Sequence, residues 1–151
     1  MNIDIRPGRR EDVPSLVRLF SDDSLGGHAD TTDASDLPAY LEAFDWIAAS
    51  PTNAIYVAVH DNEVVGTFQT VLGRSLSGRG AAHLTVAAVQ TRADMRGRGI
   101  GEAMMRFAIE KARALGAGQV KLTSNLARKD AHRFYRRLGF EQSHAGFRLL
   151  L

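Results

Sequence analysis

The amino-acid sequence predicts a mixed α/β (α+β) fold in which helices flank a mostly antiparallel central sheet. Strand-like runs and four segments with apolar residues at helical spacing support this prediction. Their order is strand, two helices, three strands, helix, strand, helix, strand, with a β-α-β unit at the centre. The 151 residues contain no internal repeat and no linker, so we expect a single domain over residues 1–151.

The first half of the chain supplies one strand, two helices and a hairpin. Residues 2–6 alternate apolar and polar side chains, which predicts a strand. Apolar side chains three and four apart predict a helix over residues 11–20 and a second that begins at Ser35 or Asp36 and ends at Ile47.

Two further strand-like runs cover residues 54–60 and 63–72. Between them lies Asp61-Asn62, a dipeptide typical of tight hairpin turns. Gly66 interrupts the second run and indicates a bulge.

The second half alternates strands and helices. A strand over residues 81–91 is apolar enough to be buried on both faces. Gly116 is the expected end of the helix that follows. The remaining predicted elements are a helix over 100–115, a strand over 119–124, a helix over 129–138 and a last strand over 146–151.

Composition restricts the classes of function. The chain has 44% hydrophobic and 24% charged residues, and no run of 18 apolar residues predicts a membrane span. We therefore expect a cytoplasmic protein without membrane association. The sequence contains no cysteine, which excludes disulfides, zinc–thiolate sites and cysteine nucleophiles, and we expect no metal. A net charge of +2 does not favour nucleic acid as a partner.

A glycine-rich turn joins the strand at 81–91 to the next helix. It reads "RGRGIGEAMM" from Arg96, and its spacing fits neither a P-loop nor a dinucleotide fingerprint, because Glu102 stands where a third glycine is required. The pattern that remains is Arg96-x-x-Gly99-x-Gly101. Unpaired N–H groups at a helix start, with Arg96 and Arg98 beside them, are suited to bind phosphate.

The stretch "VQTRADMRGRGIGEAMM" resembles the acetyl-CoA-binding motif of the GNAT superfamily of N-acetyltransferases. The later stretch "DAHRFYRRLGF" resembles the same superfamily's downstream helix. The resemblance implies a GNAT-like fold and acetyl-CoA as co-substrate, with the pantetheine arm paired to the strand near Val89 and Thr91. It also implies that the coenzyme's pyrophosphate rests on the backbone of Arg96, Gly97, Arg98, Gly99, Ile100 and Gly101.

The resemblance also implies catalytic roles. Tyr135 occupies the position of the family's usual general acid, and a phenol can protonate a thiolate while staying neutral at pH 7. Many relatives carry a glutamate as base where this chain has Ala87. Two alternatives remain for the base: His83 on the same strand, acting directly or through water, or a chain of waters that opens to bulk solvent.

Two residues are candidates for a further coenzyme contact. Many relatives have an asparagine at the position of Arg128, so that either Arg128 or the nearby Asn125 is expected to contact the coenzyme.

The resemblance implies that the segment between the first two helices, which is acidic in this chain, shapes the acceptor pocket. Asp22, Asp23 and His28 are the expected substrate-binding residues, and the aspartates favour a cationic amine. A purely solubilising loop is the alternative.

The sequence thus predicts an N-acetyltransferase that moves the acetyl group of acetyl-CoA to a small, cationic primary amine by direct attack. Two alternatives are a coenzyme-A-binding sensor that has lost catalysis, suggested by Ala87, and a small basic nucleic-acid-binding domain. Exposed β edges and the terminal "FRLLL" are compatible with a homodimer.

Overall fold

A computed structural model describes residues 1–23 and 29–151 of the chain. Within these ranges the strands are β1 (Asp4–Pro7), β2 (Asn53–His60), β3 (Glu63–Arg74), β4 (Ala82–Thr91) and β5 (Gln119–Leu122). The helices are α1 (Val13–Ser21), α2 (Leu37–Ala49), α3 (Ile100–Ala114) and α4 (Lys129–Arg137). All four predicted helices are confirmed. The second one begins directly after Asp36, one of its two expected caps.

The strands form one sheet in the order β1-β2-β3-β4-β5. Neighbours from β1 to β4 are antiparallel, whereas β4 and β5 are parallel and α3 connects them. Parallel neighbours need such a crossover connection, and a helix usually supplies it. The predicted mixed sheet and its β-α-β unit are therefore confirmed.

Two predicted turns are also confirmed. Asp61 and Asn62, with φ of 50° and 61°, both adopt the left-handed conformation that a two-residue hairpin of this type requires. Gly116 has a φ of 75° directly after the last turn of α3. The N–H of Ala117 then donates to the carbonyl of Ala112, which completes a glycine-terminated helix end.

Gly66 lies in the predicted bulge and touches α3. The pairing between β2 and β3 shifts between Ala58 and Val59, so that Val65 is the extra residue on β3. A Cβ at Gly66 would lie 3.0 Å from the sulfur of Met104. The glycine therefore allows α3 to pack closely against the sheet.

The two faces of the sheet are covered by different helices. On one face, the buried side chains of α3 pack against β2, β3 and β4: Ile100, Met104, Met105 and Ala108 contact Tyr56, Phe68 and Val86. On the other face, α1 and α2 pack mainly on β2 and β3, through clusters that include Val13, Val17, Phe44, Leu16 and Val57. Among the residues described, no helix is both long and apolar enough to cross a membrane.

The expected burial of β4 on both faces is wrong. Leu84 and Val86 are buried, Val86 against the side chains of α3, but Ala87 and Ala88 are exposed. Because α1 and α2 pack over β2 and β3, they leave the opposite face of β4 largely uncovered. One face of β4 therefore stays open to solvent.

The predicted last strand over residues 146–151 is also wrong. Within the described chain, residues 141–151 form no helix or strand, and the strand expected at 119–124 ends at Leu122. The alternating pattern is present, but a strand needs a hydrogen-bonded neighbour, and among residues 1–23 and 29–151 this segment has none.

An ion pair fastens β1 to the turn that precedes α1. Arg6 donates two hydrogen bonds, of 2.8 and 3.0 Å, to the carboxylate of Asp12, and the N–H of Arg9 donates a third of 2.7 Å. Burial alone would raise the pKa of Asp12, but the bonds from Arg6 and Arg9 outweigh it and hold this pKa below its usual value. Asp12 therefore stays charged in the folded protein. Its ion pair stabilises the fold fully at pH values above the pKa that Asp12 has in the unfolded chain.

Substitution Asp12→Asn should lower the free energy of unfolding by roughly 1.5–3 kcal/mol at pH 7, because Arg6 loses a charged partner. Asp45→Asn, which removes an exposed ion pair with Arg10, should cost less than about 1 kcal/mol. Urea unfolding at several pH values provides the measurement. The cost of Asp12→Asn should shrink as the pH falls through the lowered pKa of Asp12, and a cost independent of pH would contradict this account.

Candidate active site

The parallel pairing of β4 stops halfway along the strand. Its ladder with β5 runs from His83 opposite Gln119 to Val86 opposite Leu122. Beyond Val86, the residues of β4 up to Thr91 have no partner on the β5 side in the described chain. This half of β4 is a free edge at which an extended ligand with amide groups can pair.

A bulge lies on the same half of β4. Gln69 of β3 pairs with Ala87 and Thr67 pairs with Gln90, so two residues of β4 stand where β3 has only one. One of them, Ala88, has a φ of 51°, in the left-handed region that residues other than glycine rarely adopt. Such strain is frequent at functional sites, and it coincides here with the start of the free edge.

The glycine-rich turn follows the free edge at the start of α3. The N–H of Ala103 donates to the carbonyl of Gly99 at 3.0 Å, which begins the helical hydrogen bonds. Among the described residues, the N–H groups of residues 96–102 donate to no carbonyl. They form a set of donors at the positive end of the helix dipole, as an anion site requires.

Glycine is favoured at the three positions of the turn for different structural reasons. Gly97 and Gly99 have φ of 75° and 84°, and a Cβ on either would meet open space, so the backbone conformation favours glycine. Gly101 has no such φ, but a Cβ there would lie 3.2 Å from the ring of Phe134 on α4. Gly101 therefore permits contact between α3 and α4, whereas Gly97 and Gly99 shape the turn.

The arginines around the turn differ in how strongly they are bound to other groups of the protein. Arg92 is bound to Asp94 and Glu63, each at 2.7 Å. The exposed Arg96 donates a long bond of 3.4 Å to the carbonyl of Thr91. Arg98 is exposed beside the turn. Arg96 and Arg98 are therefore the cations that can turn toward an anion, while Ile100, the first helical residue, is buried in the core.

Tyr135 lies on α4 in an aromatic group. Its ring centroid is 5.2 Å from that of Phe134 and 5.7 Å from that of Phe140. Burial raises the pKa of the Tyr135 hydroxyl, and the charge of Arg128 only partly offsets the effect. The phenol is therefore protonated at neutral pH, as a proton donor must be.

Asp23 joins three elements on the open face of β4. Its carboxylate accepts a hydrogen bond of 2.7 Å from Gln90 and a charged one from Arg128, which directly precedes α4. The side chain of Asp23 is 7% exposed, and that of Arg128 is 26% exposed. The ion pair of Asp23 with Arg128 thus lies next to the bulge. The sequence predicts Asp23 as a contact of the acceptor and Arg128 as a contact of the coenzyme, with no bond between the two.

Asn125 shapes the loop before α4. Its side-chain oxygen accepts a bond of 2.8 Å from the N–H of Ala127, and its carbonyl accepts bonds from Arg128 N–H and from the ring of His132. Its role in the described chain is to hold this loop. Asn125 and Arg128 are thus both engaged in bonds within the protein.

His83 is far from the bulge. It lies in the half of β4 that is paired on both sides, and its ring packs over Gly73 of β3, where a Cβ would meet the ring nitrogen at 2.7 Å. The rise of a strand puts it roughly 15–20 Å along β4 from Val89. Direct proton transfer needs hydrogen-bond distance, so at this separation His83 could act as the base only through intervening water.

The acidic segment is only partly described. His28, the third expected substrate-binding residue, lies outside the described residues. Asp22 is exposed at the end of α1, while Asp30 accepts a bond of 2.7 Å from the hydroxyl of Tyr40. Of the two predicted substrate-binding aspartates, Asp22 is therefore exposed, and Asp23 is held in its ion pair. No cluster of three or more metal-binding side chains occurs in the described part of the chain.

Sequence reasoning missed the bulge at Ala88 and the roles of Gln90 and Phe134. A non-glycine residue in the left-handed region leaves no mark in the sequence, and the bond between Gln90 and Asp23 joins residues 67 positions apart. The spacing of apolar residues in the predicted helix over 129–138 indicates that Phe134 and Tyr135 lie on its core side. It does not show that Phe134 contacts Gly101.

The sequence comparisons with known proteins agree on one family. The sequence model of the Acetyltransferase (GNAT) family matches residues 14–140. Aminoalkylphosphonate N-acetyltransferase of Salmonella typhimurium is 30% identical over 153 residues, which cover 92% of this chain and 94% of that protein. An uncharacterized N-acetyltransferase of Bacillus subtilis is 33% identical over 106 residues, 70% of this chain and 73% of that one.

A solved structure shares the fold. The crystal structure of a protein described as a transcriptional regulator from Bacillus halodurans C-125 superposes with a TM-score of 0.95 at 32% identity. The match covers 99% of this chain and 100% of the other. The described fold is therefore shared over nearly the full length of the chain with this related protein.

Substitution Gly101→Val should lower the free energy of unfolding by about 1–3 kcal/mol, because the new side chain would press on Phe134. For a chain of this size, the melting temperature should fall by roughly 2–4 °C per kcal/mol. Gly146→Val, in open space, is the matched control and should change little. In a Phe134→Ala background the added cost of Gly101→Val should largely disappear. An equal cost in both backgrounds would show that the contact with Phe134 is not the reason for the glycine.

Proposed function

The chain belongs to the GNAT acetyltransferase family and is an acetyl-CoA-dependent N-acetyltransferase, and on this basis we propose that it acetylates a small primary amine by direct attack within a ternary complex. The observation that carries this proposal is the second half of β4. There a strained bulge, a free strand edge and a turn of unpaired N–H groups follow one another along the chain. In the same order they suit the three parts of acetyl-CoA: thioester, pantetheine and pyrophosphate.

In this proposal acetyl-CoA lies along the open end of the sheet. The pyrophosphate accepts bonds from the N–H groups of residues 96–101, and Arg96 and Arg98 add charge-assisted bonds. The amides of pantetheine pair with the edge of β4 near Val89 and Thr91, as an added strand does. The fit is supported by Gly97 and Gly99, which leave open space beside the turn.

The reaction needs no covalent enzyme intermediate. The lone pair of the neutral amine attacks the thioester carbon, a C–N bond forms, and the C–S bond breaks to give a thiolate. The backbone N–H of Val89 polarises the carbonyl oxygen, since an N–H aimed at the developing negative charge stabilises the transition state. Holding amine and thioester together supplies much of the remaining rate enhancement.

Two protons must move. The hydroxyl of Tyr135 donates its proton to the thiolate, and the raised pKa of this phenol keeps the proton available until the C–S bond breaks. The amine loses its proton to water at the exposed face of β4 around Ala87. A water route agrees with the position of His83 far along the strand and with the alanine at position 87.

The acceptor is proposed to carry an ammonium group and an anionic group. Asp23 and Arg128 stand together beside the bulge and offer one charge of each sign, whereas a purely cationic amine would match only the carboxylates. Arg128 would bind the anion, and Asp23 with the exposed Asp22 would attract the ammonium group. The Salmonella relative is named for aminoalkylphosphonates, which are molecules of this kind. We therefore propose this class in place of the purely cationic amine that the sequence predicts.

Substitution Arg96→Ala should weaken acetyl-CoA binding by roughly 1.5–3 kcal/mol, because a charged hydrogen bond to the pyrophosphate is lost. This corresponds to a dissociation constant raised about 10- to 150-fold. Arg113→Ala, at the far end of α3 and 70% exposed, is the matched control. Calorimetric titration measures both. Unchanged affinity in Arg96→Ala would count against the assigned phosphate contact.

Substitution Tyr135→Phe should reduce kcat by roughly 10²–10⁴-fold while acetyl-CoA binds with nearly unchanged affinity, since only the proton donor is removed. Tyr56→Phe, which takes a hydroxyl from the core beneath α3, should leave kcat near the wild-type value. Release of free thiol measures turnover. In the wild type, ionisation of Tyr135 should cause no loss of kcat below about pH 10, because its pKa is raised. Full turnover in Tyr135→Phe would refute the general-acid role.

An acceptor panel tests the proposed substrate class. An aminoalkylphosphonate should give a higher kcat/KM than an alkylamine or a diamine of equal chain length. Arg128→Gln should raise KM for the phosphonate about 10-fold or more, the value of a charged hydrogen bond, and affect the alkylamine little. Asp23→Asn should raise KM for all three amines. A preference for the diamine would support the purely cationic acceptor that the sequence predicts. Turnover of none of the three amines would contradict small-amine acetylation itself.

A further inference from the structure

A cavity of about 500 Å³ lies beside α1, on the face of the sheet that is turned away from α3. Parts of α1 and of the hairpin between β2 and β3 line it, and its lining includes Ser15, Arg18, Leu19, Asp22, Val59 and Val64. In the described chain, no residue of the stretches 87–91 and 96–102 lines it. This α1 cavity is therefore separate from the proposed coenzyme site, and its volume suits a small molecule.

The charges around the α1 cavity balance, because three arginines and three carboxylates line it. Arg6 donates bonds of 2.8 and 3.0 Å to the carboxylate of Asp12. Arg92 donates a bond of 2.7 Å to the carboxylate of Glu63. Since these two arginines already hold carboxylates, the lining favours a ligand without net charge over a simple anion.

The remaining two charges of the lining, Arg18 and Asp22, lie one helical turn apart and are both exposed. Within residues 1–23 and 29–151 neither of them forms an ion pair. Arg18 donates a bond of 3.1 Å to the hydroxyl of Ser15. Asp22 directly follows the last residue of α1, where the negative end of the helix dipole disfavours a carboxylate and favours a cation beside it. A ligand that brings both an anionic and a cationic group would satisfy both side chains.

The α1 cavity also has an apolar part. Leu19, Val59 and Val64 belong to the hydrophobic cluster under α1, and Leu19 is buried while the two valines are half-buried. An apolar group of a ligand placed here would remove further surface of the valines from water, which favours binding. Together with the two unpaired charges, this lining favours a small zwitterion that carries an apolar side chain.

We infer that the α1 cavity binds a free α-amino acid with an apolar side chain. Its carboxylate accepts hydrogen bonds from Arg18, whose planar guanidinium matches a carboxylate in shape and charge. Its ammonium group donates to Asp22, and its side chain packs against Val59 and Val64. The carbon that carries the side chain also carries the ammonium and carboxylate groups, so one small molecule can reach two side chains that lie one helical turn apart.

The end of α1 lies between this site and the proposed acceptor site. Asp23, the residue after Asp22, is bound to Gln90 and Arg128 beside the bulge. Asp22 adds its charge to the attraction of the acceptor and keeps its direct bond for the amino acid. An aminoalkylphosphonate and an α-amino acid share an ammonium and an anionic group, but the phosphonate lacks the apolar side chain that Val59 is placed to contact.

Titration of the isotope-labelled full chain with L-leucine, without acetyl-CoA, gives the first test. The amide NMR signals of α1 and of the β2–β3 hairpin should shift until one site is saturated. N-acetyl-L-leucine lacks the ammonium group, L-leucinamide lacks the carboxylate and glycine lacks the side chain, so each should bind about 10-fold more weakly or worse. No saturable shift with L-leucine, or equal affinity for any of these three compounds, would overturn the inference.

Substitutions of the two unpaired charges give the second test. Arg18→Gln and Asp22→Asn should each raise the dissociation constant of L-leucine about 10-fold or more, because each removes a charged hydrogen bond. Both side chains are exposed, so the melting temperature should stay near that of the wild type. Arg113→Gln and Asp45→Asn, exposed and outside the cavity, are the matched controls and should bind L-leucine as the wild type does. Unchanged affinity in Arg18→Gln or in Asp22→Asn would refute the assigned contacts.

Competition separates this site from the proposed acetyl transfer. Acetyl-CoA and an aminoalkylphosphonate, each added to the complex with L-leucine, should leave the leucine signals of residues 15–22 and 59–64 in place. Displacement of leucine by the phosphonate would assign the cavity to the acceptor and overturn the inference. Because no turnover is measured, failure of acetyl transfer in the acceptor panel would leave this result unaffected.

Discussion

The structure depends on a change in how β4 is paired. Its first half has neighbours on both sides, whereas its second half has β3 alone and carries a bulge at Ala88. Unpaired backbone must find a partner, and here the proposed partner is the substrate. The parallel connection through α3 has a second effect, because it brings the glycine-rich turn to the end of the same free edge. β4 and the start of α3 thus place a strained residue, a strand edge and an anion site one after another.

A close contact links coenzyme binding to the proposed proton donor. Gly101 in the first turn of α3 lies against Phe134, and the next residue along α4 is Tyr135. The same glycine that the family motif contains therefore sets the spacing between the two helices. Because Arg128 precedes α4 and is paired with Asp23, the acidic segment after α1 also reaches this helix. The proposed coenzyme, acid and acceptor sites are joined through α4.

Most of the fold could be predicted from the sequence because each element has a local pattern. The spacing of apolar residues in α1 and α3 and the dipeptide Asp61-Asn62 depend only on neighbouring residues. The errors concern tertiary pairing. Burial of β4 depends on where α1 and α2 pack, and the segment 146–151 has a strand pattern without a strand neighbour. In the site, motif spacing located the turn at residues 96–101, while the ion pair of Asp23 with Arg128 joins residues 105 positions apart and has no local signature.

Amide hydrogen exchange with and without acetyl-CoA tests the central claim most directly, because the claim concerns backbone N–H groups that have no partner in the described part of the chain. The account predicts that acetyl-CoA slows exchange in two stretches, residues 87–91 of β4 and residues 96–102 of the turn. Residues 83–86 of β4, already paired on both sides, should change little. Protection of the turn without protection of β4 would contradict the added-strand placement of pantetheine. Bound coenzyme with neither stretch protected would contradict the site as a whole.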